Sequence, residues 1–156
     1  MLLSLVVMAQ VAAVQAADLS PFKPLIGACW RADFSSSVHD THCFEALYGG
    51  AHVRDRHEVQ DGGKIVYAGE TTYSVDGNEV VFIYVNSLGG VGHGKVQKQG
   101  SLLTFTGAMR ASPDKAQQPI DSEWRIVDAD RYEVRSLVQS PSNGPNSTLT
   151  FVRVKP

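Results

Sequence analysis

Apolar and polar residues alternate over the first part of the chain at the spacing of a half-buried β-strand. Residues 25–34 place one set of side chains on a single face, and this set is Ile26, Ala28, Trp30, Ala32 and Phe34. A run of serines then signals a turn, and residues 40–48 continue as a second strand. A third strand follows Gly49-Gly50, a pair that suits a two-residue hairpin loop. The pattern predicts a three-stranded antiparallel meander over residues 25–59.

The cysteines and the glycine pair each predict a strand register. If Cys29 lies opposite Cys43, the first turn centres on the serine run. Trp30 then pairs with His42, and both side chains lie on the face of the sheet opposite to the cysteines. Counting outward from the glycine loop sets His42 opposite His57. Because side chains alternate along a strand, the sulfurs share the outer face. Trp30, His42 and His57 are therefore predicted to form a row across the inner face.

Short alternating segments separated by turn residues continue to the end of the chain. The further predicted strands are residues 64–75, 78–87, 95–99, 102–110, 120–127, 131–138 and 147–154. Residues 88–94 are predicted to form a glycine-rich loop that exposes His93. Ten short strands without helical periodicity predict an all-β fold. An up-and-down antiparallel barrel of about ten strands is favoured because closure removes free sheet edges.

Composition and charge narrow the classes of function. The chain has 156 residues and is 43% hydrophobic, which is enough for one domain with a sizeable core. The net charge is −2, and the charged residues are spread along the chain, so no electrostatic footprint for nucleic acid is present. We expect no nucleic-acid partner and no insertion of the mature protein into a membrane.

The first residues have the pattern of an export signal. Residues 1–16 are apolar and uncharged, too short to span a bilayer, and end in small residues. They are predicted to be a signal peptide, with a buried N-terminal helix as the alternative. Residues 17–24 contain two prolines and are predicted to close one end of a barrel formed by residues 25–156. The predicted location is periplasmic or secreted.

Export makes the cysteine pair a disulfide candidate. A bridge between Cys29 and Cys43 closes a loop of about fifteen residues, which stabilises by roughly 3 kcal/mol in the chain-entropy model. Two buried thiols are the alternative. A metal site using the cysteines is disfavoured because no third soft ligand lies nearby.

The opening of the barrel segment resembles a known superfamily. Gly27 and Trp30 form a Gly-x-x-Trp on the first strand, after a short N-terminal segment and before a meander of hairpins that ends in a lone strand. This arrangement resembles the calycins, which include lipocalin, nitrobindin and fatty-acid-binding-type barrels. It also resembles small exported bacterial proteins whose first strand opens Gly-x-Cys-Trp. The resemblance implies an apolar ligand cavity with a few polar anchors. The late strands contain no histidine, so no haem ligand and no cofactor are expected.

His42 and His57 are the strongest candidates for polar functional residues. Asp40 precedes His42 by two residues, and Asp55 precedes His57 by two, so alternation places all four side chains on the inner face. A carboxylate beside an imidazole fixes its tautomer and raises its basicity, which suits a proton shuttle or a metal ligand. The alternative is a purely structural polar network.

Two functions follow from this pattern. The leading prediction is a barrel that binds a small, largely apolar ligand, with contacts from Trp30, His42, Phe44, Asp55 and His57. The alternative is a cavity enzyme or a divalent-metal binder that uses the two histidines and their neighbouring aspartates. Because the sequence has no Gly-x-Ser-x-Gly and no His-Glu-x-x-His, covalent hydrolysis is disfavoured and binding is expected before catalysis.

Overall fold

A computed structural model describes residues 17–138 and 147–154. The predicted signal peptide, residues 1–16, lies outside the described residues. The described chain is all-β, apart from two short 3₁₀ turns, Ser20–Phe22 and Tyr48–Gly50. Its strands are β1 (Ala28–Asp33), β2 (Val38–Leu47), β3 (His52–Asp61), β4 (Lys64–Asp76), β5 (Glu79–Asn86), β6 (Val91–Gln99), β7 (Leu102–Arg110), β8 (Gln118–Asp128), β9 (Arg131–Ser136) and β10 (Thr148–Arg153).

The strands form a closed antiparallel barrel. Each strand pairs with the strands that precede and follow it in sequence, and β10 pairs with β1 to complete the circle. Trp30 lies opposite Arg153 at this closing seam. The predicted up-and-down barrel of ten strands is confirmed. Among the described residues, no helix has the length and apolar character needed to cross a bilayer.

The predicted registers of the first three strands are also confirmed. Cys29 pairs with Cys43 and Trp30 with His42 between β1 and β2, and His42 pairs with His57 between β2 and β3. The two cysteines form a disulfide on the outer face of the barrel. The three-residue row across the inner face is therefore present as predicted.

The loop between β2 and β3 differs from the predicted two-residue hairpin. Strand β2 ends at Leu47 and β3 begins at His52, so the connection has four residues rather than two. Its centre is unchanged, which explains why the predicted register is correct although the loop length was wrong. Tyr48 takes a φ of +51°, and Gly49 and Gly50 follow with φ of +71° and +94°.

The glycine-rich segment before β7 is mostly strand rather than loop. Strand β6 begins at Val91, and His93 is exposed within it, not on a loop. The glycines of this segment let the β6 backbone lie close to the neighbouring strand and to core side chains. A Cβ added at Gly94 would lie 2.2 Å from the carbonyl oxygen of Thr106 and 2.8 Å from Cε1 of Phe82. The glycine at this position therefore serves packing between strands.

An aromatic-rich core fills the barrel and is covered at one end by the segment before β1. Phe22, in the first 3₁₀ turn, is fully buried, and its ring stacks 4.3 Å from that of Tyr73. The indole Nε1 of Trp30 donates to the carbonyl oxygen of Leu25. The buried apolar cluster is Phe22, Leu25, Trp30, Ala32, Phe44, Val53, Tyr73, Val80, Phe82, Val96, Leu103, Phe105, Trp124, Tyr132 and Phe151.

Candidate functional site

Strands β2 and β3 bring four ionisable side chains together inside the barrel. Asp40 and His42 alternate onto the inner face of β2, and Asp55 and His57 do the same on β3. The side chain of Asp55 is 2% exposed, and those of the other three are 11–13% exposed. Charged groups at such burial need partners, because burial removes their hydration.

Each histidine contacts a carboxylate, and Asp40 bridges the two. Nδ1 of His42 lies 2.8 Å from Oδ2 of Asp55, and its Nε2 lies 3.2 Å from Oδ2 of Asp40. Nδ1 of His57 lies 3.3 Å from Oδ1 of Asp40. The two predicted Asp-x-His units therefore meet across the strand pair. Asp40 contacts both histidines, and Asp55 contacts His42 of the other unit. We call this group the Asp–His cluster.

Aromatic rings surround the Asp–His cluster. The imidazoles of His42 and His57 are stacked, with centroids 4.8 Å apart. The ring of Phe151 meets His42 edge-on at 4.9 Å, and that of Trp124 does so at 6.4 Å. Low-polarity neighbours strengthen electrostatic interactions between the charged groups.

The electrostatic environment shifts the pKa values of His42 and Asp40 in opposite directions. Burial alone would lower the pKa of His42, but the negative charge of Asp55 and hydrogen bonds to both carboxylates raise it to about 10. Burial alone would raise the pKa of Asp40, but hydrogen bonds from His42 and His57 hold it well below its usual range. The raised pKa favours the imidazolium form of His42, in which both ring nitrogens donate to carboxylate oxygens.

Two tyrosines extend the cluster beyond His57. The hydroxyl of Tyr84 lies 3.2 Å from Nε2 of His57, and it shares a hydrogen bond with the hydroxyl of Tyr67. Burial and then the neighbouring Tyr67 raise the pKa of Tyr84 above its usual range, so this phenol keeps its proton. Gly69, which pairs with His57, leaves the space that this contact occupies.

Sequence reasoning missed Tyr67, Gly69 and Tyr84 because strand β4 contains an irregularity. The pairing of β3 with β4 shifts by one residue between Val59 and Gln60. A bulge of this kind breaks the two-residue period on which counting along a strand depends. Counting back from the Asp76-Gly77 hairpin is the signal that would have found them, because it sets β4 against β5 without crossing the bulge.

Two buried polar atoms near the cluster have no hydrogen-bond partner among the described residues. They are Oδ1 of Asp55 and the hydroxyl of Tyr132. Burial and then the charge of Asp55 raise the pKa of the Tyr132 phenol well above its ordinary value. An unpartnered carboxylate oxygen inside a core is costly, and the contact of Oδ2 with His42 offsets part of this cost.

The donor atoms of the cluster have the spacing of a metal site. Asp40, His42 and His57 each offer one ligand atom, and these atoms all lie within 4.8 Å of one another. Two ligands of one tetrahedral zinc ion lie about 3.3 Å apart, given zinc–ligand distances of about 2.0–2.1 Å. Nε2 of His42 lies 3.2 Å from Oδ2 of Asp40, and Nδ1 of His57 lies 3.3 Å from Oδ1, so each imidazole has this separation from one of the two carboxylate oxygens.

Trp30 and Phe44, which the sequence also predicted as ligand contacts, lie in the barrel core. Trp30 is fully buried, with its ring edge-on to Tyr132 and the guanidinium of Arg153 4.6 Å from its centroid. Phe44 is buried against Trp124. Both residues support the walls around His42, and their contact with a ligand stays a prediction.

The chain matches no protein-family model, and no curated protein is significantly similar to it in sequence. Its function is therefore inferred from the geometry of the Asp–His cluster.

Proposed function

We propose that this barrel binds a divalent transition-metal ion through Asp40, His42 and His57. The observation that carries the proposal is the convergence of one carboxylate and two imidazoles inside the barrel, each with a donor atom within 4.8 Å of the others. Imidazole and carboxylate donors suit zinc and its neighbours in the first transition row. Both cysteines are held in the disulfide, so the donor set has no thiolate to favour softer ions such as Cu(I).

Asp55 and Tyr84 supply the outer contacts that such a site requires. Metal-binding histidines usually donate their second ring N–H to a carboxylate or another oxygen, which orients the ring. Asp55 is placed to accept from Nδ1 of His42 while Nε2 faces Asp40, and Tyr84 contacts Nε2 of His57 while Nδ1 faces Asp40. The ion takes the place of the proton on Nε2 of His42, and Asp55 keeps its hydrogen bond.

Three protein ligands leave room in the coordination sphere. Structural zinc sites have four protein ligands, whereas sites with three hold water or another small ligand in the fourth position. The three side chains retain 11–13% exposure. We therefore propose a site that exchanges its ion and a small fourth ligand with solvent.

A small, largely apolar ligand is the second candidate. At the barrel end away from Phe22, the residues Met109, Ile120 and Leu149 are only partly buried. They support an apolar contact surface at this end. The closed antiparallel barrel of ten strands supports a calycin-like relationship, which we also propose. Native mass spectrometry of protein purified from its own host tests this candidate, which predicts a retained lipid-like mass instead of a stoichiometric metal.

The disulfide supports an oxidising location. Such bridges persist mainly in periplasmic and extracellular proteins. We therefore propose that the barrel acts in the periplasm or outside the cell. Cell fractionation that finds the protein in the cytoplasm with reduced cysteines would exclude this location.

Calorimetric titration of metal-stripped protein with zinc tests the main proposal. We expect one ion per chain in the wild type, and loss of this binding in His42→Ala and His57→Ala while circular dichroism still reports the β-fold. His39→Ala is the matched control, because His39 lies on the same strand as His42 and on its opposite face. Equal zinc affinity in His57→Ala and in the control would refute the proposed ligand set.

A further inference from the structure

The two nitrogens of His57 have different partners. Nδ1 lies 3.3 Å from Oδ1 of Asp40, whereas Nε2 lies 3.2 Å from the hydroxyl of Tyr84. The tautomer of a histidine is set by the hydrogen bond that its non-ligating nitrogen makes. Tyr84 therefore contacts the atom that decides whether Nδ1 of His57 has a free lone pair.

Binding of a metal fixes the direction of the hydrogen bonds around Tyr84. An ion on Nδ1 of His57 requires the proton to be on Nε2, and this N–H must donate to the oxygen of Tyr84. Tyr84 keeps its own phenolic proton and must then donate it to the oxygen of Tyr67, with which it is hydrogen-bonded. Each group in the chain His57–Tyr84–Tyr67 is thereby a donor to the next.

We infer that Tyr84 is a positioning residue that accepts from Nε2–H of His57 when an ion occupies Nδ1, and that Tyr67 supports it by accepting the phenolic proton. The inference rests on the proposed metal site and adds the residues that prepare one of its ligands. Neither tyrosine touches the ion. Their role is to stabilise the Nε2–H tautomer that a metal on Nδ1 requires, against the Nδ1–H form that donates to Asp40 in the metal-free protein.

The His57–Tyr84 contact requires a glycine at position 69 because a side chain would not fit there, and not because the backbone conformation favours glycine. Its Cβ position lies 2.4 Å from Nε2 of His57 and 2.6 Å from the hydroxyl of Tyr84, so any side chain there would separate the two groups. Gly69 pairs with His57 on the neighbouring strand, where both residues face inward. A glycine at this point of β4 gives the His57–Tyr84 hydrogen bond its space.

The test combines zinc titration with ¹⁵N NMR of His57 in the Tyr84→Phe variant. Loss of an outer-shell partner typically lowers metal affinity about 10–100-fold, and we expect a fall in that range. In the metal-free wild type the ¹⁵N shifts should report a protonated Nδ1, which faces the Asp40 carboxylate, and in the zinc-loaded wild type they should report a protonated Nε2. In zinc-loaded Tyr84→Phe the Nε2 shift should differ from the wild-type value, because this N–H has lost its acceptor. Tyr132→Phe is the matched control, because the Tyr132 hydroxyl is buried and has no hydrogen-bond partner in the described part of the chain.

The outcomes separate this inference from the proposed function. Failure of the wild type to bind zinc overturns the proposed function and the inference with it. Zinc binding at full affinity by Tyr84→Phe, with unchanged ¹⁵N shifts of His57, overturns the inference alone. If Tyr84→Phe does not fold, Tyr67→Phe and Gly69→Ala test the same chain. We expect each to weaken zinc binding relative to Tyr132→Phe, and affinity equal to that control in both variants counts against the inference.

Discussion

Nδ1 of His42 lies 2.8 Å from Oδ2 of Asp55, a carboxylate that is almost completely buried in the barrel core. The other oxygen of Asp55 has no partner among the described residues. A buried carboxylate in this situation is tolerated because of the imidazole beside it, and the imidazole is oriented by the carboxylate. The central feature of the site is thus His42, whose non-ligating nitrogen, Nδ1, already has a hydrogen-bond partner in Asp55.

The first prediction concerns Asp55→Asn, which removes the charge while conserving the side-chain shape. We expect zinc affinity to fall about 10–100-fold, since the carboxylate that orients His42 is lost. Calorimetric titration measures this change. Asp33→Asn is the control, because Asp33 lies at the exposed end of β1. Equal affinities in the two variants would show that Asp55 has no role in metal binding.

The second prediction concerns the stability of the metal-stripped protein as a function of pH. The His42 contribution is complete below its ordinary pKa of 6.5 and is lost as pH rises through the folded value of about 10. The Asp40 contribution is complete above its ordinary value of 3.8 and is lost as pH falls through its lower folded pKa. These groups therefore stabilise most between pH 3.8 and 6.5.

Thermal melts of the metal-stripped protein from pH 6.5 to 10 measure the His42 part of this dependence. The melting temperature of the wild type should fall across this range, and that of His42→Gln should fall less steeply because the titrating group is absent. Parallel curves for the two proteins would contradict the assigned ion pairing of His42.

The third prediction concerns the disulfide on the outer face. Its cysteines are 14 positions apart, and removal of a bridge that closes a loop of this size costs about 3 kcal/mol in the chain-entropy model. The double variant Cys29→Ser/Cys43→Ser should therefore have a free energy of unfolding lower by this amount in a denaturant titration. It should keep its zinc affinity, because both sulfurs lie on the outer face of the barrel. Peptide mapping without reductant that finds free thiols in the wild type would contradict the bridge itself.

The fourth prediction concerns Trp30, which lies beside His42 in the row across β1, β2 and β3. Truncation of a fully buried aromatic residue costs about 3–5 kcal/mol, so Trp30→Ala should lower the free energy of unfolding by this amount. Its folded fraction should still bind zinc, because Trp30 offers no donor to the ion. Loss of zinc binding at full stability would instead make Trp30 a part of the binding surface.

The first three strands and the histidine row were predictable from the sequence for a physical reason. Two independent features, the Cys29–Cys43 pairing and the loop at Gly49-Gly50, set the two registers, and strand alternation then placed His42 beside His57. An error in the length of the second loop did no harm, because adding one residue on each side leaves the register unchanged.

The rest of the site was not predictable in the same way. The register shift after Val59 ended reliable counting along β4, so Tyr67, Gly69 and Tyr84 were not assigned to the inner face. The contacts of His42 with Asp40 and Asp55 depend on side-chain rotamers, which alternation does not specify. Sequence pattern thus placed the aspartates and histidines on one face, and only the three-dimensional structure showed which oxygen each nitrogen meets.

X-ray absorption spectroscopy of the zinc-loaded protein tests the central claim most directly, because it reports the donor atoms around the ion. We expect one zinc ion per chain, with imidazole scattering from two histidines, nitrogen and oxygen neighbours at about 2.0–2.2 Å, and no sulfur neighbour. The imidazole scattering should weaken in His57→Ala and remain in His39→Ala. A shell without histidine, a sulfur neighbour at about 2.3 Å, or a spectrum of unbound hydrated zinc would contradict the proposed site.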